Sequence, residues 1–215
     1  GESRKNIYNF GSIGAHNAHD VSLLSKSEIF KKLDIKTDTK TCLIVIQPIT
    51  NREIDYKKIV DDILNFLKHN NFKQLLISSI NSDPGSKELV SLIDKNYSFA
   101  TKHLKSLGLV NYLSLAKHSD LVIGNSSSFI FELPMKNIKS IMLTNRQDGR
   151  HLPSQVFKSE SNLNDLNKAY KNLIKSKTTI NSLYYKSNTP DKIANKIYNF
   201  SKESPDYSKV LKIEK

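Results

Sequence analysis

The chain has 215 residues, of which 38% are hydrophobic, enough to bury one sizeable core. No apolar run approaches the roughly 20 residues that a membrane helix needs, and the polar N-terminus does not resemble a signal peptide, so we expect no membrane partner. The net charge of +12 does not indicate a nucleic-acid partner, because the lysines are spread among Asp and Glu without a helical basic stripe or an aromatic platform for bases.

Short apolar runs alternate with amphipathic stretches along the chain, which predicts an α/β fold with a mostly parallel sheet. The first helix is predicted from the capping box Ser25-Lys26-Ser27-Glu28. In chain order, the other expected elements are a strand at 42–46, a helix at 55–69, a strand at 74–78, helices at 87–95 and 113–117, a strand at 121–123, a helix at 127–133, a strand at 140–143, and helices at 163–176 and 189–201.

Ligands of such folds bind outside the carboxyl ends of the strands, so the residues that follow each strand are the candidates for a site. These residues are 47–50, 81–86, 124–128 and 145–150. We expect them to meet at one edge of the sheet.

Three consecutive serines follow the third predicted strand, in the stretch Gly124-Asn125-Ser126-Ser127-Ser128. Backbone N–H groups and short hydroxyls at a helix start form an anion site, and the helix dipole adds to the attraction. In the alternative interpretation one serine is only an N-cap and the others fill space. Capping needs a single serine, so the triplet favours phosphate binding, although the stretch lacks the Gly-Lys-Ser/Thr ending of a Walker loop.

Two kinds of charged residue accompany these serines. Glu132 lies among apolar neighbours, and a carboxylate in such a place needs hydrogen-bond donors, which a pair of vicinal ribose hydroxyls would supply. Arg146 and Arg150 follow the fourth predicted strand and have the planar fork that suits phosphate or carboxylate. A solvent-facing glutamate and solvated surface arginines are the alternatives.

No metal, cofactor or catalytic group is predicted from the residues. The six histidines show no metal-ligand spacing, and there is neither a G-x-S-x-G elbow nor a nucleophile–base pair that the sequence reveals. The single cysteine, Cys42, cannot form an intramolecular disulfide, which fits a cytoplasmic location.

The segments GNSSSFIFELP (124–134) and NRQDGR (145–150) resemble the C-terminal half of the hydrolysing UDP-N-acetylglucosamine 2-epimerases. That family carries a G-N-S-S-x-G-I-x-E-x-P segment and, after the next strand, a R-Q-x-G-R loop. The segments 11–33, 80–93 and 106–124 are similar in order and spacing, so the likeness spans about residues 7–200.

The resemblance implies a Rossmann-like three-layer domain, the C-terminal half of a GT-B-like two-domain enzyme, over residues 1–201, followed by a charged tail at 202–215. It also implies UDP or a UDP-sugar as the ligand. Catalytic carboxylates would belong to an N-terminal domain with no counterpart here, and the full-length protein would be a homo-oligomer.

Site roles follow from the same resemblance, position by position. Ser126 and Ser127 would bind the diphosphate, Glu132 the ribose hydroxyls, and Arg146 the phosphate side of the nucleotide. Ser106 would lie near the uracil or ribose.

Two positions depart from the family pattern. Gln47 stands where the family usually has a histidine near the phosphates, and glutamine cannot carry a proton at neutral pH. Phe129 stands where the family has glycine and is expected to crowd the backbone beyond the serines.

The expected function is therefore the UDP-binding part of a hydrolysing 2-epimerase that yields N-acetylmannosamine or a related sugar plus UDP. The donor-nucleotide domain of a GT-B glycosyltransferase and a non-catalytic UDP-sugar-binding module remain the alternatives.

Overall fold

A computed structural model describes residues 4–49, 55–78, 84–94, 99–180 and 182–202 of the chain. Within these residues six strands form one sheet in the order β3-β2-β1-β4-β5-β6, and every pairing is parallel. The strands are β1 (Thr41–Val45), β2 (Gln74–Ile77), β3 (Ala100–His103), β4 (Leu121–Gly124), β5 (Ser140–Leu143) and β6 (Val156–Ser159).

Helices cover both faces of the sheet, which makes three layers. They are α1 (Ile13–Asp20), α2 (Lys26–Lys32), α3 (Tyr56–His69), α4 (Ser86–Asp94), α5 (Gly108–His118), α6 (Ser128–Phe131), α7 (Leu163–Lys175) and α8 (Thr189–Lys202). Two short 3-10 helices lie at Arg4–Asn6 and Leu133–Lys136. No helix in the described part of the chain is long and apolar enough to cross a bilayer.

Two hydrophobic clusters hold the layers together. Alternate residues of β1 point to opposite faces, so Cys42 and Ile44 pack with α3, α4 and α7, while Leu43 and Val45 pack with α1, α2, α5 and α6. Because β1, β2, β4 and β5 are buried on both faces, their sequences consist of apolar runs rather than alternating patterns.

The predicted three-layer α/β fold with a parallel sheet is confirmed, and so is the capping box at the start of α2. Ser25 accepts the Glu28 N–H, and the Glu28 carboxylate accepts the Ser25 N–H at 2.8 Å. Four predicted strands coincide with β1, β2, β4 and β5, whereas β3, β6 and α1 were missed.

Two helix predictions were wrong in extent. The helix expected at 127–133 is only the four-residue α6, followed by a 3-10 helix that begins at Leu133. Pro134 has no N–H to donate and so cannot continue the α-helical ladder. The helix expected at 113–117 is longer, since α5 runs over Gly108–His118.

Some predictions fall outside the described residues. These are the tail from residue 203 onward, the loop positions 50 and 81–83, and Lys95 at the predicted end of α4.

The strand order creates one point where consecutive connections diverge. From β1 the chain moves outward to β2 and β3, and α5 then brings it back to β4 on the other side of β1. The loops after β1 and β4 therefore leave the sheet in opposite directions, and ligands of doubly wound folds bind in the crevice between such loops.

Candidate functional site

The site begins where β4 ends against β1. Gly124 has φ +155°, and a Cβ at this position would lie 2.0 Å from the Val45 carbonyl oxygen. The next residue, Asn125, donates its N–H to that same oxygen at 3.1 Å. Only glycine permits this approach of the two backbones, which sets the position of the serines that follow.

Asn125 joins the two loops of the crevice. Its side chain accepts the Gln47 N–H at 2.7 Å and donates to the Gln47 carbonyl at 2.9 Å, so one buried amide satisfies both backbone groups of Gln47. Asn125 and Gln47 are 1% and 8% exposed, respectively. The loop after β1 is thereby locked to the loop after β4.

The loop after β5 is attached to the same residue. The Asn125 carbonyl accepts the Gln147 side-chain amide at 3.0 Å and the Arg146 guanidinium at 3.4 Å. Arg150 donates to the Gln147 side-chain oxygen at 2.5 Å. Asn125 thus connects three strand ends, and Arg146 is held beside the serine loop.

The serines form a compact hydroxyl cluster. The Ser126 hydroxyl accepts the Ser128 N–H at 3.3 Å and the Ser128 hydroxyl at 3.0 Å, and the Tyr112 hydroxyl lies 2.7 Å from Ser128 Oγ. Ser127 occupies the N-cap position of α6 but its side chain makes no capping hydrogen bond. The purely capping interpretation of the triplet therefore does not describe Ser127.

The short length of α6 changes the physical account of this cluster. A helix of four residues has a small dipole, so the helix dipole expected from the sequence adds little attraction for an anion. The remaining sources of attraction for an anion are the hydroxyl protons and the Arg146 charge. Phe129, which is expected to crowd the backbone beyond the serines, is fully buried in the core and adds to its packing.

Glu132 lies at the junction of α6 and the following 3-10 helix. Its Oε2 atom is buried without a hydrogen-bond partner, and burial raises the pKa of this carboxyl. The side chain lies against the first turn of α1, where a Cβ on Gly14 would be 2.6 Å from Glu132 Oε1. A buried carboxylate oxygen without a donor is costly, and hydroxyl groups of a ligand could supply the missing hydrogen bonds.

The predicted site residues do not all belong to one cluster. Gln47, Ser126 and Arg146 are brought together around Asn125, with Ser127 beside them and Glu132 five residues further along the chain. Ser106 is exposed in the connection from β3 to α5, at the same edge of the sheet, and no described contact joins its side chain to the others.

Sequence reasoning missed the residues that organise the site. Asn125 and Gln147 lie within the motifs at 124–134 and 145–150, and their signal is an amide side chain in a loop that follows a buried strand. Tyr112 and Gly14 had no such signal, since their contacts with Ser128 and Glu132 depend on how α5 and α1 pack.

The chemistry of the cluster is neutral hydrogen bonding plus one or two guanidinium charges. In the described residues no group of three His, Cys, Asp or Glu side chains is arranged to hold a metal ion. The arrangement can bind and neutralise an anion at the strand ends, with a carboxylate nearby for hydroxyl donors.

Comparison with known proteins gives consistent results. A family model described as UDP-N-acetylglucosamine 2-epimerase matches residues 1–198. A GDP/UDP-N,N'-diacetylbacillosamine 2-epimerase (hydrolyzing) of Campylobacter jejuni is 32% identical over 177 residues, covering 80% of this chain and 45% of that protein. Polysialic acid biosynthesis protein P7 of Escherichia coli is 30% identical over 154 residues, covering 70% of this chain and 39% of that protein. The chain thus spans less than half the length of these curated relatives.

Solved structures share the fold. The UDP-GlcNAc 2-epimerase of Methanocaldococcus jannaschii in complex with UDP-GlcNAc and UDP matches with a TM-score of 0.67 and 13% identity, over 92% of this chain and 56% of that one. S. aureus MnaA in complex with UDP matches with a TM-score of 0.67 and 18% identity, over 98% of this chain and 58% of that one.

Proposed function

The chain belongs to the UDP-N-acetylglucosamine 2-epimerase family, and we propose that it is the UDP-binding half of a hydrolysing 2-epimerase. The substrate would be a UDP-linked 2-acetamido sugar, and the products N-acetylmannosamine or a related sugar plus UDP. The observation that carries this proposal is that Ser126, Gln47 and Arg146 lie around Asn125. This is the point where the connections after β1 and β4 leave the sheet in opposite directions.

The serine loop and Arg146 are proposed to hold the diphosphate. Arg146 Nη1 already lies 3.4 Å from the Asn125 carbonyl, so the guanidinium is positioned beside Ser126 and Ser127 before any ligand arrives. When the bond from the sugar to UDP breaks, negative charge grows on the diphosphate. Donors fixed beforehand stabilise such charge without reorganising, which is how this half would assist the reaction.

Glu132 is proposed to accept hydrogen bonds from the two ribose hydroxyls. Its Oε2 atom lacks a partner, and the raised pKa reflects the cost of burying the charged form. Hydroxyl donors favour the ionised carboxylate, so ribose binding would lower the pKa again. Recognition of the nucleoside and of the diphosphate would then involve different residues.

Gln47 limits the part this half can play in acid–base chemistry. Its backbone is fixed by Asn125, so the side chain starts from a defined position near the proposed phosphate site. Glutamine donates and accepts hydrogen bonds but does not carry a proton at neutral pH. The groups that move the C2 proton are therefore proposed to lie in the remaining half of the enzyme, as in a GT-B-like two-domain arrangement.

The same residue favours the second candidate, a UDP-sugar-binding module without catalysis. Gln47→His in the full-length protein discriminates between the two. A gain in turnover supports the epimerase, whereas unchanged inactivity with intact UDP binding supports the module.

Calorimetric titration of UDP into the chain tests the proposed function. We expect binding, weakened by about tenfold or more in Arg146→Ala, because a charge-assisted contact to phosphate is lost. Glu160→Ala, at an exposed position in the loop after β6, is the control and should bind like the unaltered chain. Absence of UDP binding at about 5 mM ligand would overturn the proposal.

A further inference from the structure

A chain of three hydroxyls leads from the interior to the serine loop. Tyr112, on α5, is partly buried and places its hydroxyl 2.7 Å from Ser128 Oγ, and the Ser128 hydroxyl donates to Ser126 Oγ at 3.0 Å. The Ser126 oxygen also accepts the Ser128 N–H at 3.3 Å. Each hydroxyl has one proton and two lone pairs, so the direction of the chain can be worked out.

The protons of this chain run in one direction. Because the Ser128 proton is used toward Ser126, the Tyr112 hydroxyl must be the donor to Ser128. Burial raises the pKa of the Tyr112 phenol, and the Glu132 charge adds to that rise, so the phenol keeps its proton at any physiological pH. Tyr112 is therefore a constant donor.

The hydrogen bonds from Ser128 determine what the Ser126 hydroxyl can offer to a ligand. Both lone pairs of Ser126 Oγ are engaged by Ser128, through its N–H and its hydroxyl. A hydroxyl whose two lone pairs are filled has only a donor left to offer. Ser126 is thus prepared to give its proton to an anion and has no free lone pair for a competing donor.

We propose that Tyr112 is a positioning residue for diphosphate recognition, acting through Ser128 to keep the Ser126 hydroxyl oriented as a donor. The inference rests on the proposed function, because it assumes a phosphate-bearing ligand at Ser126. Tyr112 itself does not touch the ligand. Its effect should therefore appear only with ligands that carry phosphate and only while Ser126 is present.

A double-mutant cycle in the 215-residue chain tests this relay of hydrogen bonds from Tyr112 through Ser128 to Ser126. Affinity for UDP and for uridine is measured by ligand-observed NMR in four proteins: unaltered, Tyr112→Phe, Ser126→Ala, and the double variant. We expect Tyr112→Phe to weaken UDP roughly 3- to 10-fold, the usual range for one hydrogen bond, with uridine unchanged. In the Ser126→Ala background, Tyr112→Phe should have no further effect on UDP, because the two act through one contact.

Ser128 variants provide the conservative comparison. Ser128→Ala should lose affinity as Tyr112→Phe does, and Ser128→Thr, which keeps the hydroxyl, should restore most of it. Equal losses for UDP and uridine, or fully additive losses in the cycle, would show a merely structural role and overturn the relay. If the unaltered chain does not bind UDP at all, the proposed function fails and this inference falls with it.

Discussion

Glu132 illustrates how a proposed binding role can reduce the stability of the fold. Its Oε2 atom is buried without a partner, and burial raises the pKa of the carboxyl above its usual value. A raised pKa in the folded state means that the protonated form fits the fold better than the ionised one. The stability associated with the protonated form is present below the unfolded-state pKa and is lost as the pH rises through the folded-state pKa.

Glu132→Gln should therefore make the chain more stable at pH 7 while weakening UDP binding. Glutamine is neutral at every pH, so we expect a gain on the order of 1 kcal/mol at pH 7, seen as a rise in Tm of about 2–4 °C, and almost no gain at pH 4. Urea unfolding at both pH values measures the difference. An equal gain at pH 4 and pH 7 would contradict the argument, and Glu160→Gln, on the exposed loop after β6, is the matched control.

The pairing of strands β1 and β4 depends on a glycine at position 124. A Cβ on Gly124 would lie 2.0 Å from the Val45 carbonyl oxygen and 2.5 Å from its carbonyl carbon. These are backbone atoms of a buried central strand, so no side chain can rotate away to make room. Gly124 is therefore required for the β1–β4 register as well as for the turn into the serines.

Gly124→Ala should prevent folding or lower the free energy of unfolding by roughly 3 kcal/mol or more, as overpacking against the backbone does. Gly108→Ala is the matched control. Gly108 also has a positive φ, +67°, but nothing lies within 4 Å of the added Cβ, so only backbone strain of about 1 kcal/mol is expected. Circular dichroism melts of both variants test the prediction, and similar losses in the two would contradict it.

The elements that the sequence predicted and those it did not differ in burial. Central strands such as β1 are covered on both faces and appear as apolar runs, whereas the edge strand β3 has the polar sequence ATKH and partly exposed residues. The helix α1 buries only Ala15 and Ala18, too little apolar surface for a periodic pattern. Edge strands and lightly buried helices depend on tertiary packing, which a sequence pattern does not contain.

The residues of the candidate site also fall into those that the sequence predicts and those that it does not. Ser126, Glu132 and Arg146 could be selected because they follow strands or interrupt apolar runs, and the resemblance gave each a role. Asn125 could not be assigned as the residue that joins three loops, since its partners are 78 and 22 residues away in the sequence. Long-range hydrogen bonds of this kind become visible only when the strand order is known.

The chain as a whole holds one parallel sheet within its described residues, and the groups that move the C2 proton are proposed to lie in the other half of the enzyme. It spans 45% and 39% of the two curated relatives described above, yet its sheet, core and loop cluster form one connected structure. Of the described carboxylates near the serine loop and the loop after β5, Glu132 is proposed for ribose, and Asp148 accepts a hydrogen bond from Lys158 at 2.7 Å. Gln47 cannot act as an acid or base.

The 215-residue chain should therefore bind UDP but release none from UDP-N-acetylglucosamine. A positioned base is needed to remove the C2 proton before the bond to UDP breaks. Without that base the reaction rate falls typically 10²- to 10⁴-fold. A coupled assay for free UDP, run for hours at high protein concentration, measures this. Release of UDP that disappears in Arg146→Ala would place a proton-transferring group within this chain. That result would contradict the proposal that the catalytic groups lie in the other half of the enzyme. Release that persists in Arg146→Ala would instead point to a contaminating hydrolase.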